Sequence, residues 1–202
     1  MDEVASILSY ITALSRSSSE WSALKDSILE VAKAAKTIYE VHEKTGAPKP
    51  PGLQPLLNSL LESLRQGDIS EAARIVQDSS PLLRRASAAY LALYRLLILT
   101  VSIPSLAGVL IGVYLAFTVS SPVASLAALT VAGLLAASLI APPRYASYPL
   151  LASSLILASI YAYSGEAPAS ILLYSVLLAT TAILAGALRS GIGPGPVVAR
   201  GI

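Results

Sequence analysis

Between Leu96 and Leu188 the sequence carries almost no charge. Apart from tyrosines, the only ionisable side chains in this stretch are Arg144 and Glu166. A soluble helical fold needs a polar outer face, which such a stretch cannot supply, whereas a helix in lipid needs an apolar one. Only 13% of the chain is charged, against about 25% in a typical soluble domain, and most of those charges precede Leu96. The pattern predicts an all-α, polytopic membrane protein with a charged helical region ahead of its membrane part.

Helix-breaking residues divide the apolar stretch into four predicted membrane-spanning helices. A helix of about 17–25 apolar residues crosses the hydrocarbon core of a bilayer. The third segment is the shortest, at about 24 Å for a rise of 1.5 Å per residue, so it needs thin membrane or flanking residues. The predicted spans are residues 94–118, 123–141, 148–163 and 168–188, in a transmembrane domain over 87–188 followed by a flexible tail over 189–202.

Arginines flank these spans on one side only. They are Arg84, Arg85, Arg95, Arg144, Arg189 and Arg200. Because positive charge marks the cytoplasmic ends of membrane helices, these arginines set the topology. Tyrosines suit both interfaces, and Tyr90 and Tyr94 are expected at the inner one. The sequence therefore predicts a multi-pass cell-membrane protein, in contact with the lipid bilayer, with both termini in the cytoplasm.

Small residues recur at helical spacing inside the predicted spans. Small surfaces let helix backbones approach closely where no hydrophobic effect drives association. Two interpretations stay open, namely contacts between copies of the chain and packing within one four-helix bundle. Pro104, in the first span, is a candidate hinge. The candidate helix-packing residues are Gly108, Gly112, Ala128, Ala132 and Gly186.

Residues 1–86 predict a small cytoplasmic helical domain. Helices are expected over 2–14, 18–44, 53–65 and 69–77, with a proline-rich linker at 46–52. The last of these should stop before Pro81, and Ser80 should cap a new helix that enters the membrane.

Two of these predicted helices are strongly amphipathic. Apolar residues in 18–44 repeat every 3.5 residues, as in a coiled coil, and leucines form one stripe of 53–65. Such faces serve either as the core of a helical hairpin or as a surface for a protein partner or a second copy. The candidate partner-binding residues are Trp21, Leu24, Ile28, Leu53, Leu57, Leu60 and Leu64.

Groups able to perform chemistry are scarce. The chain has no cysteine and one histidine, His42, which excludes disulfides, thiolate catalysis and cysteine metal sites. Arg95 stands at the boundary of the first span, where it can reach the headgroups, and the spans hold no charged residue further inside that would mark a proton or ion path. No broad basic surface suits nucleic acid. We expect no enzymatic activity, no catalytic residue, no metal, no cofactor and no nucleic-acid partner. The scarcity of thermolabile residues is typical of a thermophile.

The segment from Leu60 to Ala72, LLESLRQGDISEA, resembles the helix-turn-helix of the cytoplasmic domain of type II secretion and type IV pilus platform proteins. Those proteins also place a small helical bundle before membrane helices, and the resemblance covers residues 18–118. Four consecutive spans after one such domain depart from the usual platform arrangement. With the amphipathic helices, the resemblance implies an integral membrane scaffold or assembly subunit that binds a partner protein in a secretion or pilus-type complex. The alternative function is a small oligomeric channel or transporter without intramembrane charge coupling.

Overall fold

A computed structural model describes residues 2–164 and 169–191, and within these ranges all regular structure is α-helical, with no strand. The helices are α1 (Asp2–Ser17), α2 (Ser19–Thr45), α3 (Leu53–Gln66), α4 (Ile69–Thr118), α5 (Pro122–Ile140), α6 (Ser147–Ser164) and α7 (Ala169–Gly191). They form two compact units that divide between Leu93 and Tyr94. Unit 1 comprises α1–α3 and the part of α4 up to Leu93. Unit 2 comprises the remainder of α4 with α5, α6 and α7.

Unit 1 is helical, and its buried residues come from one face of each helix. α1 packs against both α2 and α3, and the apolar stripes of all three helices turn inward. The hydroxyl of Ser18 caps α2 by accepting the Glu20 amide at 3.2 Å, and Gly46 and Gly67 end α2 and α3 at φ +72°. The largest fully buried side chains of this unit are Ile7, Ile11, Ile28, Ile38, Leu53, Leu57, Leu60, Leu64 and Leu83.

The proline-rich linker packs onto unit 1. Nδ1 of His42 lies 2.6 Å from the Ala47 carbonyl oxygen, and the ammonium of Lys49 lies 4.6 Å from the centre of the Tyr39 ring. The Tyr90 hydroxyl donates a hydrogen bond to the Pro48 carbonyl. Tyr90 is therefore buried in unit 1, while its place at the inner membrane interface stays a prediction. A tyrosine next to an apolar segment can hold a loop through its hydroxyl, or it can anchor a membrane helix at the interface.

α4 runs from Ile69 to Thr118 without a break. The predicted end at residue 77 and new start at Ser80 are therefore wrong. A single buried stripe continues through the expected breakpoint, and this packing outweighs the missing amide of Pro81, whose side chain lies on the exposed face. The buried residues of this stripe are Ala72, Val76, Ser79, Leu83, Ala86, Tyr90 and Leu93.

The carboxylate of Asp68 caps the start of α4. It accepts a hydrogen bond of 3.0 Å from the Glu71 amide and one of 2.7 Å from the Ser70 hydroxyl. Because both bonds favour the charged form, the first more strongly, the pKa of Asp68 is lowered. Its contribution to stability is thus complete above the ordinary aspartate pKa of about 3.9 and is lost as the pH falls through the lower folded-state value.

Asp68→Ala is therefore expected to lower the urea midpoint of unit 1 at pH 7 and to change it less well below pH ~3.9. Asp68→Asn, which keeps a capping oxygen that does not titrate, should fall between the two proteins at pH 7. The single tryptophan, Trp21, lies in unit 1, so its fluorescence follows the transition. An Asp68→Ala effect of equal size at both pH values would contradict this role.

In unit 2, neighbouring helices run antiparallel. The C-terminal end of α4 meets the start of α5 where Ser125 Oγ donates to the Ala116 carbonyl at 2.5 Å, and Ser105 Oγ lies 2.7 Å from Ser138 Oγ further along. α6 packs against both α5 and α7. α7 continues to Gly191, so Arg189, predicted in the tail, is helical. The rest of that tail lies outside the described residues.

Three helices of the described chain, α4, α5 and α7, are long and apolar enough to cross a membrane, which suggests a multi-pass membrane protein. α6 is apolar as well, but it is shorter.

Candidate functional site

Unit 2 is apolar outside and partly polar inside. Large hydrophobic side chains are exposed along all four of its helices, and Phe117 at 85% and Ile140 at 87% are among the most exposed. Such a surface is unfavourable in water but matches lipid. The buried polar residues of this unit are Ser105, Ser138, Ser153, Ser154, Ser175 and Thr181, and we call them the serine seam.

Direct hydrogen bonds join the helices across the serine seam. Ser105 on α4 pairs with Ser138 on α5, and Ser154 on α6 donates to the Ser175 carbonyl of α7 at 2.8 Å. Thr181 donates to a carbonyl of its own helix. Among the described residues, the Ser153 hydroxyl has no hydrogen-bond partner. The seam thus links α4 to α5 and α6 to α7 inside an apolar shell.

A third link ties α7 back to α4 at the candidate hinge. The Tyr174 hydroxyl of α7 donates to the carbonyl of Pro104. Gly108, one turn further along α4, makes room for this hydroxyl, since a Cβ at that position would lie 2.6 Å from it. Pro104 is thus held against a neighbouring helix. α4 continues through Pro104 without a break. In the structure this proline is therefore a point of contact between α4 and α7.

Tyr174→Phe should destabilise unit 2 by roughly 0.5–1.5 kcal/mol, because the ring still fits while the hydrogen bond to Pro104 is lost. The thermal midpoint of the detergent-purified protein is the measurement. Tyr163→Phe is the matched control, since Tyr163 is 92% exposed. Equal midpoints for Tyr174→Phe and wild type would show that the bond contributes nothing.

The candidate helix-packing residues fall into two groups. Gly108 and Gly112 on α4 face α5 within the same chain, where a Cβ on Gly112 would lie 2.9 Å from the Ala128 carbonyl oxygen and 3.1 Å from the Ala132 Cβ. These four residues pack within the bundle. At Gly186, by contrast, the nearest atom to such a Cβ is a guanidinium nitrogen of Arg189 at 4.0 Å. Gly186 therefore lies beside an arginine, and among the described residues no backbone of another helix approaches it.

The structure places the candidate partner-binding residues inside unit 1. Trp21, at 4% exposure, lies in its core with Ile28, while Leu24 is half-buried. The stripe of α3 is buried as well, namely Leu53, Leu57, Leu60 and Leu64. Side chains in a core cannot also bind a partner while the unit stays folded. A periodic apolar stripe does not reveal whether its covering surface belongs to the same chain.

The topology-setting arginines lie at several places in the structure. In unit 1, Arg84 pairs with Glu30 at 3.2 Å on the surface, and Arg85 is exposed. In unit 2, Arg95, Arg144 and Arg189 lie at the same end, because neighbouring helices are antiparallel. Arg189 Nη1 donates to the Arg144 carbonyl oxygen at 2.5 Å.

Sequence reasoning missed the role of Tyr174. The available signal was its position, since it stands well inside a predicted span, whereas interfacial tyrosines stand at span ends. A tyrosine in the interior needs a partner for its hydroxyl, and here the partner is a carbonyl next to a proline.

In the part of the chain that the structure describes, no group of three or more His, Cys, Asp or Glu side chains could hold a metal ion. No family model, no curated protein and no solved structure matches this sequence.

Proposed function

We propose that this protein is a non-enzymatic integral membrane scaffold, in which unit 2 forms a four-span membrane anchor and unit 1 binds a partner protein in the cytoplasm. The observation that carries the proposal is the distribution of exposed apolar side chains. In unit 1 they reach only about 40% exposure, at Tyr10, Leu82 and Leu91, whereas unit 2 exposes them along every helix. Water therefore suits the surface of unit 1 and lipid suits that of unit 2.

The fourth span of the proposal is α6. Its 18 residues reach about 27 Å at 1.5 Å per residue, close to the hydrocarbon thickness of a bilayer. Its outer face exposes Leu151 and Leu155, as expected of a helix in lipid, and α5 and α7 flank it. A crossing α6 also brings Arg144 and Arg189 to one side of the membrane, in agreement with the positive-inside rule.

Cysteine labelling tests this topology, because the natural chain has no cysteine. With intact cells and a membrane-impermeant thiol reagent, Ser120→Cys and Tyr163→Cys should label from outside. Ser19→Cys and Ser190→Cys should label only after the membrane is opened. If α6 does not cross while α7 does, Tyr163→Cys will behave like Ser19→Cys and Ser190→Cys will label from outside, and the four-span arrangement will be wrong.

The surface and the core of unit 1 support the scaffold role. Unit 1 has a charged outer surface and a buried apolar core, and in the described ranges no group of three or more His, Cys, Asp or Glu side chains could hold a metal ion. A partner would therefore bind the folded outer surface of unit 1. The resemblance of Leu60–Ala72 to secretion and pilus platform proteins suggests an assembly of that type.

A pull-down with full-length variants tests the scaffold role. A tagged Leu57→Asp chain, with a charge in the core of unit 1, should lose a protein that co-purifies with wild type in the same detergent. Gly133→Leu, on the outer face of α5, should keep it. If Leu57→Asp and wild type capture the same proteins, unit 1 is not the binding element.

The serine seam favours a second function, a small oligomeric channel or transporter for an uncharged solute. The Ser153 hydroxyl of this seam has no hydrogen-bond partner in the part of the chain that the structure describes. The direct bonds across the seam favour a closed bundle and place this function second. A solute flux above that of empty liposomes, abolished by Ser105→Ala with Ser138→Ala, would support it over the scaffold.

A further inference from the structure

Arginines predominate among the charged residues of unit 2. From Tyr94 to Gly191 the sequence has three arginines, no lysine and one acid, Glu166, which comes between α6 and α7. Arg144 and Arg189 belong instead to the connection between α5 and α6 and to the last turn of α7. A basic cluster at one end of an apolar bundle attracts an anion from its surroundings.

The fold brings two of these arginines together from positions 45 residues apart. Arg189 donates a 2.5 Å hydrogen bond to the Arg144 carbonyl oxygen, so its side chain turns back toward the connection between α5 and α6. One turn earlier, Gly186 leaves space beside that guanidinium. The Arg144 guanidinium lies 4.6 Å from the centre of the Tyr145 ring. Both arginines are thus positioned by contacts of their own, which reduces the ordering cost of binding.

We propose that Arg144 and Arg189 form a binding site for the phosphate of an anionic phospholipid in the inner leaflet. Guanidinium groups match phosphate oxygens in geometry and charge, and basic pockets between membrane helices on the cytoplasmic side are suited to anionic headgroups. Half-exposed Tyr145 and more exposed Tyr148 flank the pair with rings suited to headgroup depth. The inference rests on the proposed membrane embedding, since only then does this end of unit 2 lie among headgroups.

The test is the thermal midpoint of the detergent-purified, full-length protein during titration with lipid. Phosphatidylglycerol should raise the midpoint at concentrations at least about tenfold below those at which phosphatidylcholine does. Inorganic phosphate, which lacks the acyl chains, should need far higher concentrations. Equal effects of the two lipids would overturn the proposal, and an equal effect of inorganic phosphate would replace the lipid with a soluble phosphate ligand.

Matched single substitutions locate the site. Arg189→Gln should weaken the phosphatidylglycerol effect at least about tenfold, because one arm of the pair is lost. Arg95→Gln removes the same charge from the same end of unit 2 and should weaken it much less. Equal losses for the two variants would show diffuse attraction and overturn the site. Arg189→Lys, which keeps the charge, should retain the lipid preference with reduced affinity, and its failure to do so would also count against the proposal.

The outcome separates this inference from the function it rests on. If the cysteine labels place unit 2 across the membrane and the two lipids act alike, the lipid site is wrong and the membrane proposal stands. If the labels contradict the topology, the membrane proposal itself fails.

Discussion

Gly112→Leu should be among the most damaging single substitutions in unit 2. A Cβ at Gly112 would lie 2.9 Å from a backbone carbonyl oxygen of Ala128, and backbone inside a helix cannot move aside as a flexible side chain does. Overpacking of a core costs about 1–3 kcal/mol and occasionally more, and we expect a loss at or above the upper end. At roughly 2–4 °C per kcal/mol, the thermal midpoint in detergent should fall by about 6–12 °C.

Gly133→Leu is the matched control, on the helix that Gly112 contacts. No atom of the described residues lies within 4 Å of a Cβ placed at Gly133, so a leucine there extends into the surroundings of the bundle. We expect the midpoint to stay within about 2 °C of wild type, since a surface substitution usually changes stability by at most about 0.5 kcal/mol. The reverse ranking would mean that α5 uses its outer face for a contact between copies.

Gly112 and Gly133 show what a pattern of small residues can predict and what it cannot. The sequence predicted that Gly108, Gly112, Ala128 and Ala132 occupy close contacts between helices, and the structure places all four at one interface within the chain. Gly133 lies on α5, as Ala128 and Ala132 do, but no atom of the described residues lies within 4 Å of a Cβ placed there. Spacing reveals which positions permit close approach, but the choice among them depends on the rotation of each helix, which all its neighbours determine together.

α4 illustrates a different limit of sequence reasoning. Pro81 and the serines before it are typical helix-boundary residues, yet α4 continues through them from Ile69. The poor helix propensity of one proline costs a few kcal/mol of stability at most. The stripe through Leu83 buries apolar surface on both sides of Pro81. The long apolar stretch after Leu96 was predictable because it depends on composition alone. The residues at which a helix begins and ends depend on how its side chains pack, and composition alone does not determine that packing.

Leu57→Ala should unfold unit 1 at a much lower urea concentration than wild type requires. Leu57 has no exposed surface, and removal of a buried leucine side chain costs about 2–5 kcal/mol because a cavity replaces its contacts. The fluorescence of Trp21 is the readout, since it is the only tryptophan and is 4% exposed in the same unit. With a urea m-value of about 1–3 kcal/mol/M, the midpoint should fall by at least roughly 0.7 M.

Leu82→Ala is the control within unit 1, because Leu82 is 40% exposed on α4 and its truncation leaves no closed cavity. Its midpoint should stay near that of wild type. The comparison decides whether the apolar stripe of α3 forms the core of unit 1 or binds a partner. If Leu57 served only to bind a partner, its truncation would not lower the stability of the isolated chain. A small effect of Leu57→Ala on the Trp21 transition, together with a lost partner in the pull-down, would return the α3 stripe to a binding role. A large effect makes that stripe the core of unit 1 and directs the search for the partner to the charged outer surface.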